Sequence, residues 1–279
     1  MAGARVVRFI VFAAGSVGGL SGAAYGLLNG QSRRARGVAG GPAVLPLNAD
    51  GVYHPDGSGP HLEPGSRPVT LAVLGDSLAA GIGAETTDGL PGVLLAKGLA
   101  EEGAAPVRLT THAISGAKTF DLPAQVDRAL IAPPELALVI IGGNDVTARA
   151  RIATSAMVLG REVRRLTAAG TNVVVATCPD LGVARCIPQP LRELARHYGR
   201  ALSRAQHRVL DRIGTAAVSL FDLVSPEFMV RPHELFSPDR FHPNGAGYRI
   251  AADALLPALC GAAGLFTGRR PMLTEPLAA

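Results

Sequence analysis

Short runs of β-branched and aliphatic residues alternate with segments of helical spacing along most of this chain. The strand-like runs lie at residues 69–74, 107–114, 136–141, 172–177 and 217–221. The helical segments lie at residues 92–102, 122–130, 152–169, 191–213 and 246–260. This alternation predicts parallel strands joined by helices on both faces of one sheet, and the continuous apolar run at 138–141 is typical of a strand covered on both faces. The sequence therefore predicts an α/β fold, a three-layer α/β/α sandwich with a five-stranded parallel sheet.

The first 36 residues differ from the rest in hydropathy and charge. Residues 9–28 form a run of 20 residues without a charge, which is long enough for a helix to cross a bilayer core. Arginines flank this run on both sides, at positions 5 and 8 and at positions 33, 34 and 36. We interpret residues 1–36 as an N-terminal signal peptide or a membrane anchor, which predicts an exported or membrane-anchored protein of the cell envelope. Cleavage and the side of the membrane both stay open.

The remainder of the chain divides into a linker, one folded domain (called the body below) and a C-terminal tail. Residues 37–67 contain seven glycines and five prolines and show little hydrophobic periodicity, which predicts a flexible linker. The alternating pattern occupies residues 68–264, which we interpret as one folded domain. Residues 265–279 are predicted to form a C-terminal tail.

Charge and cysteine content exclude several classes of partner. The net charge is +5, but five of the 27 basic residues precede residue 37 and none of the 22 acidic residues does, so the body is balanced. A balanced body argues against nucleic-acid binding, which needs clustered positive charge. The three cysteines lack the spacing of a zinc site. Cys178 and Cys186 bracket a short loop and are either a disulfide of an exported domain or two ordinary thiols.

The first predicted strand is followed directly by Gly75, Asp76 and Ser77. Ligands of parallel α/β sheets bind beyond the carboxyl ends of the strands, so a serine at this position is a candidate nucleophile. Helix capping by Ser77 is an equally good interpretation of the serine alone. Position 79 is alanine, so the segment is not the G-x-S-x-G turn of α/β-hydrolases.

Two further strands end in glycine-containing loops that can supply amide hydrogen bonds. Gly116 follows the second strand, where the absence of a Cβ would let its backbone amide approach a substrate. Gly142 and Gly143 precede Asn144 after the third strand. Asn144 can donate a hydrogen bond to an oxyanion, or it can simply form a turn or cap a helix.

Asp239 and His242 lie just before the last helical segment. An aspartate three residues ahead of a histidine can fold back onto it, which fixes the imidazole tautomer and leaves the other ring nitrogen to accept a proton from a serine hydroxyl. Either residue alone would be read as part of a turn or helix start. We expect four nearby apolar residues to overhang the serine, where they form either an acyl groove or ordinary core: Phe228, Met229, Phe236 and Phe241.

Together these segments resemble the four sequence blocks of the SGNH hydrolase superfamily, also called GDSL esterases and lipases, and especially its exported actinobacterial esterases. The blocks occur in family order across residues 69–260. The resemblance implies a flavodoxin-like SGNH fold, catalytic Ser77, His242 and Asp239, and no metal or cofactor. It also implies an oxyanion hole formed by the Ser77 and Gly116 amides and the Asn144 side chain. The chain departs from the family pattern in the block that contains Gly116, because residues 112–115 include His112 where many relatives have an asparagine shortly before the glycine.

The resemblance implies a serine esterase or lipase that hydrolyses a small-molecule or lipid carboxylic ester through an acyl-enzyme. The alternatives are an acyltransferase or carbohydrate deacetylase of the cell envelope, and a non-catalytic envelope-binding module on the same fold. The N-terminal segment implies the membrane as a further partner. Oligomeric state is left open.

Overall fold

In a computed structural model, the described residues are 46–63 and 65–265, together with residues 27, 30 and 31. Their core is a six-stranded sheet with the strand order β1-β3-β2-β4-β5-β6. The strands are β1 (Gly51–Tyr53), β2 (Val69–Gly75), β3 (Val107–Thr111), β4 (Leu136–Ile140), β5 (Asn172–Thr177) and β6 (Ala216–Ser219). Strands β2 to β6 are parallel, and β1 pairs with β3 in the antiparallel direction. The predicted three-layer sandwich is thus confirmed, with six strands where five were expected.

Helices cover both faces of this sheet. The longer ones are α1 (Pro91–Gly103), α2 (Leu122–Ala129), α4 (Ile152–Ala168), α5 (Leu191–Arg212) and α9 (Gly245–Ala262). Shorter ones are α3 (Gly143–Thr147), α6 (Leu220–Leu223), α7 (Ser225–Val230) and α8 (Pro232–Leu235). Three short 3-10 turns lie at Thr87–Gly89, Thr119–Asp121 and Leu181–Val183.

Two apolar layers hold the sandwich together. On one face, α1 and α9 pack against side chains such as Val73 and Leu138, and on the other α2, α4 and α5 pack against side chains such as Leu74 and Val139. Because successive strand residues point to opposite faces, β4 contributes to both layers and all five of its residues are buried. Each fully buried aliphatic side chain stabilises the fold by about 1.5–3 kcal/mol relative to exposure.

The strand β1 corrects the prediction of a flexible linker at residues 37–67. Val52 and Tyr53 are fully buried, and the Asp50 carboxylate accepts a hydrogen bond of 3.0 Å from the Thr111 amide. The hydroxyl of Tyr53 donates to the carbonyl of Ala49. At least from residue 49 to residue 53, the chain is therefore an edge of the folded domain and not a tether.

Most of the predicted N-terminal segment, residues 1–36, lies outside the described residues, as do residues 37–45 and 266–279. Gln31 is an exception: its amide donates to the Gln189 carbonyl at 2.6 Å and accepts from the Leu191 amide at 3.2 Å. This part of the chain therefore contacts the start of α5. None of the described helices combines the length and the hydropathy needed to span a membrane.

Candidate active site

The loops after β2, β3 and β4 meet the segment before α9 at the carboxyl-terminal edge of the sheet. Gly75 makes the turn out of β2 possible, because its φ is 141° and a Cβ at this position would lie 1.9 Å from the Ile140 carbonyl oxygen. The following amide, that of Asp76, donates to the same carbonyl at 3.1 Å. The close approach of the two strand ends places Ser77 directly beside the β4 loop.

Ser77, His242 and Asp239 form a continuous chain of hydrogen bonds. The Oγ of Ser77 lies 3.0 Å from Nε2 of His242, and Nδ1 of the same ring lies 2.6 Å from Oδ2 of Asp239. Ser77 and His242 are only 7% and 6% exposed. A serine hydroxyl, an imidazole and a carboxylate at these distances can transfer a proton from the hydroxyl to the ring and stabilise the resulting charge.

Asp239 is held as a carboxylate by several donors. Its Oδ1 accepts hydrogen bonds from the Ser237 hydroxyl at 2.7 Å and from the backbone amides of Phe241 and His242 at 2.8 and 2.9 Å. Burial opposes ionisation of this group, but the hydrogen bonds from His242 and from these donors outweigh it and lower the pKa of Asp239 well below its usual range. Asp239 is therefore ionised and can stabilise the positively charged form of the His242 imidazole.

The predicted oxyanion donors lie in adjacent loops. One N–H of the Asn144 amide donates to the Ala117 carbonyl at 3.0 Å, which leaves its second N–H free of this bond. Ala117 directly follows Gly116, whose φ of 82° is a left-handed conformation. Within the described part of the chain, the backbone amides of Ser77 and Gly116 donate to no other residue. These two backbone amides and the second N–H of Asn144 thus have no hydrogen-bond acceptor among the described residues.

Two buried carboxylates, those of Asp76 and Asp145, accept hydrogen bonds that stabilise the loops around the serine. Asp76 accepts from the Leu78 amide at 3.0 Å. Asp145 accepts from the Thr119 amide at 2.9 Å and from the Ser155 hydroxyl at 2.8 Å, so it joins the β3 loop to α4. Burial, together with the charge of Asp145, raises the pKa of Asp76 to about 6, against the opposing effects of the Leu78 hydrogen bond and of His242.

This shift predicts a pH-dependent cost of stability. The pKa of Asp76 in the folded protein lies above its unfolded value near 3.8, so folding favours the protonated carboxyl. This preference stabilises the fold below pH 3.8, and the stabilisation is lost as the pH rises through about 6. We expect the free energy of unfolding of Asp76→Asn, minus that of the wild type, to increase by about 2 kcal/mol between pH 4 and pH 7. Urea unfolding across this range measures it, and a difference that does not change with pH would contradict the account.

Two buried glutamines that the sequence analysis did not single out hold the ends of the site strands. Gln125 on α2 accepts from the Gly75 amide at 2.7 Å and donates to the Gly75 carbonyl at 2.8 Å. Gln206 on α5 accepts from the Cys178 amide at 2.8 Å and donates to the Ile141 carbonyl at 3.1 Å. Each glutamine bonds backbone groups at a strand end, just before Ser77 and just before the Asn144 loop. The Gly75 carbonyl also accepts from the Ile114 amide at 3.1 Å.

An apolar cavity of about 90 Å³ opens beside Ser77. Of the four overhanging apolar residues singled out from the sequence, Phe228, Phe236 and Phe241 line it. Met229 does not line it and instead has its sulfur 3.1 Å from a guanidinium nitrogen of Arg196.

The cysteine question that the sequence left open is resolved for the described residues. Cys178, Cys186 and Cys260 are all free thiols. Burial raises the pKa of Cys178 well above its ordinary value, and buried thiols of this kind are unreactive.

Comparison with known proteins identifies the chain's relatives. Residues 73–250 match the model of the GDSL-like lipase/acylhydrolase family. The chain is 44% identical over 242 residues to the GDSL-like esterase Rv1075c of Mycobacterium tuberculosis (strain ATCC 25618 / H37Rv), an alignment covering 85% of this chain and 76% of that protein.

Solved structures show the same fold. A lipase/acylhydrolase from Enterococcus faecalis superimposes with a TM-score of 0.57 at 19% identity, covering 69% of this chain and 95% of that one. TesA superimposes with a TM-score of 0.55 at 23% identity, covering 69% of this chain and 99% of that one.

The sandwich fold and these relatives define the protein as an ester hydrolase. The chain belongs to the GDSL-like lipase/acylhydrolase family.

Proposed function

We propose that the protein hydrolyses carboxylic esters through an acyl-enzyme formed on Ser77, with His242 as general base and then general acid. The observation that carries the proposal is the unbroken chain of hydrogen bonds from Ser77 Oγ to His242 Nε2, at 3.0 Å, and from His242 Nδ1 to Asp239, at 2.6 Å. A neutral imidazole in this position removes the hydroxyl proton as the nucleophile attacks. Asp239 orients the ring and stabilises its charged form.

In the acylation half, the Ser77 oxygen bonds to the ester carbonyl carbon while its proton passes to Nε2 of His242. The electron pair of the carbonyl moves onto its oxygen, which becomes the oxyanion. When this intermediate collapses, the bond to the alcohol oxygen breaks and the leaving group takes the proton from Nε2. Deacylation repeats the sequence with water as the nucleophile, so the carboxylic acid leaves and the proton returns to Ser77.

The oxyanion is assigned to the amides of Ser77 and Gly116 and to the side-chain amide of Asn144. The support is that both backbone amides lack partners in the described residues and that Asn144 keeps one N–H free. The hydrogen bond from Asn144 to the Ala117 carbonyl fixes the amide before substrate arrives. Donors held in place in this way lower the barrier, because they do not have to reorganise as negative charge develops.

Substitution of Asn144 tests the oxyanion assignment. We expect Asn144→Ala to lower kcat about 10²–10³-fold, with a much smaller change in KM, because the hydrogen bond strengthens only in the transition state. Asn144→Asp, which keeps the shape but replaces donors by acceptors, is expected to be at least as impaired. Asn172→Ala, an exposed position at the start of β5, is the control. Wild-type kcat in Asn144→Ala would exclude Asn144 from the oxyanion hole.

The reaction class is tested with the full chain and p-nitrophenyl acetate. We expect release of p-nitrophenol together with free acetate, measured by absorbance and by chromatography, with no acetylated product when an alcohol or a sugar is added. Quantitative transfer of acetyl to the acceptor would instead identify an acyltransferase. Much faster release of acetate from an acetylated sugar than from p-nitrophenyl acetate would identify a carbohydrate deacetylase. If the folded protein shows neither turnover nor acylation, the non-catalytic binding module is the remaining interpretation.

We also propose that residues 1–36 direct the protein to the membrane or the cell envelope, either as a signal peptide or as an anchor. The support is the uncharged run at residues 9–28 between flanking arginines. Residues 68–264 remain the proposed hydrolase domain, extended by the edge strand β1.

A further inference from the structure

The cavity beside Ser77 is lined mostly by buried residues. It is bounded by the β5 loop at Leu181, by Val224 and Phe228 around α7, and by Tyr248, Ala251 and Leu255 on α9. Its walls are almost entirely apolar carbon. Its polar lining residues include Ser77 and Asn144 at the sheet edge, where we place the chemistry, and Ser225 and Tyr248 on α7 and α9.

The positions of the lining residues along helix α9 indicate the depth of this cavity. It begins at Gly245, three residues after His242, and runs away from the site. At a rise of 1.5 Å per residue, Leu255 lies about 10 Å further along the helix axis than Tyr248. Side chains on a helix lean toward its N-terminus, so the Leu255 side chain leans back toward Ser77. Leu255 is 1% exposed and is the cavity-lining residue furthest along α9, so we place it at the inner end.

The volume limits what can enter. An apolar cavity of about 150 Å³ accommodates the six carbons of benzene. By proportion, 90 Å³ holds about three to four carbons beyond the carbonyl carbon bonded to Ser77. The hydroxyls of Ser225 and Tyr248, which also line the cavity, already donate to the Leu220 and Ile82 carbonyls. The wall therefore offers an acyl chain few hydrogen-bonding partners, which favours saturated acyl groups over hydroxylated ones.

We propose that this cavity binds the acyl group of the substrate, that it selects saturated acyl chains of about four to five carbons, and that Leu255 sets the length limit. The proposal rests on the ester hydrolysis proposed above and assigns the acyl half of the substrate. The alcohol half then lies on the open side of Ser77.

The limit on acyl-chain length is tested by replacing Leu255 at the inner end of the cavity. The full chain is assayed with p-nitrophenyl esters from acetyl to decanoyl, below their critical micelle concentrations. For the wild type, we expect kcat/KM to peak at butyryl or valeryl and to fall at least ten-fold by octanoyl. Leu255→Ala removes three carbons from the inner end. We expect its optimum to move to hexanoyl or octanoyl, and its octanoyl-to-butyryl ratio to rise at least ten-fold, because one methylene in an apolar pocket changes selectivity by about ten-fold or more.

Leu259→Ala is the matched control. Leu259 lies one turn further along α9, is fully buried and belongs to the same apolar layer, but it does not line the cavity. We expect the two alanine variants to lose similar stability, whereas only Leu255→Ala changes chain-length selectivity. The same shift in both variants, or none in Leu255→Ala, would overturn the assignment.

A second pair of variants keeps the test decisive if Leu255→Ala fails to fold. Ala251→Val narrows the cavity from the same helix, and we expect it to move the optimum toward acetyl. Ala254→Val adds the same two methyl groups at a partly buried residue that does not line the cavity, and its profile should match the wild type. An unchanged profile in Ala251→Val would also overturn the proposal.

The two proposals fail in different ways. If the wild type hydrolyses no ester and Ser77 is never acylated, the proposed function is wrong. If hydrolysis depends on Ser77 but its rate does not vary with chain length, the function stands and the acyl pocket is wrong.

Discussion

Ser77→Ala is expected to lower kcat about 10⁶-fold on any ester that the wild type hydrolyses, because no acyl-enzyme can form without the Oγ atom. Binding is expected to change little, since the oxyanion donors and the apolar cavity remain. Residual catalysis above the rate in water would come from those groups alone. Stopped assays at high enzyme concentration measure the loss.

Ser203→Ala is the control for this loss. Ser203 is also a buried serine, and it is hydrogen bonded to Thr177 at 2.9 Å, remote from His242. We expect this variant to retain wild-type kcat. Activity of Ser77→Ala within ten-fold of the wild type would remove Ser77 from the mechanism.

Asp239→Asn is expected to lower kcat about 10⁴-fold while leaving the fold intact. The asparagine Oδ1 can still accept from the Ser237 hydroxyl and from the Phe241 and His242 amides, so the loop keeps its hydrogen bonds. Its NH₂ group, however, would face Nδ1 of the imidazole. This would place the ring proton on Nε2, where the ring could no longer accept the Ser77 proton.

Kinetics and stability together test this explanation. Asp222→Asn is the control, because the Asp222 carboxylate accepts from the Ser219 hydroxyl at 2.7 Å and Asp222 does not line the cavity; this variant should retain wild-type kcat. Urea unfolding of Asp239→Asn should show a cooperative transition. A kcat within ten-fold of the wild type would show that the carboxylate does not orient His242.

The arrangement of β2 to β6 could be predicted from the sequence because each strand is a compact apolar run. The strand at Asn172–Thr177 has the predicted bounds, and the others differ by no more than three residues at either end. The strand β1 could not be recognised. It has only three residues within a stretch rich in glycine and proline, and its pairing with β3 depends on residues more than 50 positions away.

The residues near the serine were predicted in part. Ser77, Asn144, Asp239 and His242 follow strand ends or precede a helix, where polar residues are visible against apolar runs. Gln125 and Gln206 were not predicted, because a single polar residue within a helical segment looks like part of the solvated face of that helix. Gln125 carried one usable signal, since it lies three residues after Leu122 on the apolar face of α2.

The most direct test of the central claim is the site of covalent labelling by a fluorophosphonate. The folded full chain is incubated with the reagent, its intact mass is measured, and the modified residue is identified by peptide mass spectrometry. Our account predicts one adduct, on Ser77, together with complete loss of ester hydrolysis, and no adduct in Ser77→Ala. An adduct on another residue that abolishes activity, or ester hydrolysis that survives stoichiometric labelling of Ser77, would contradict it.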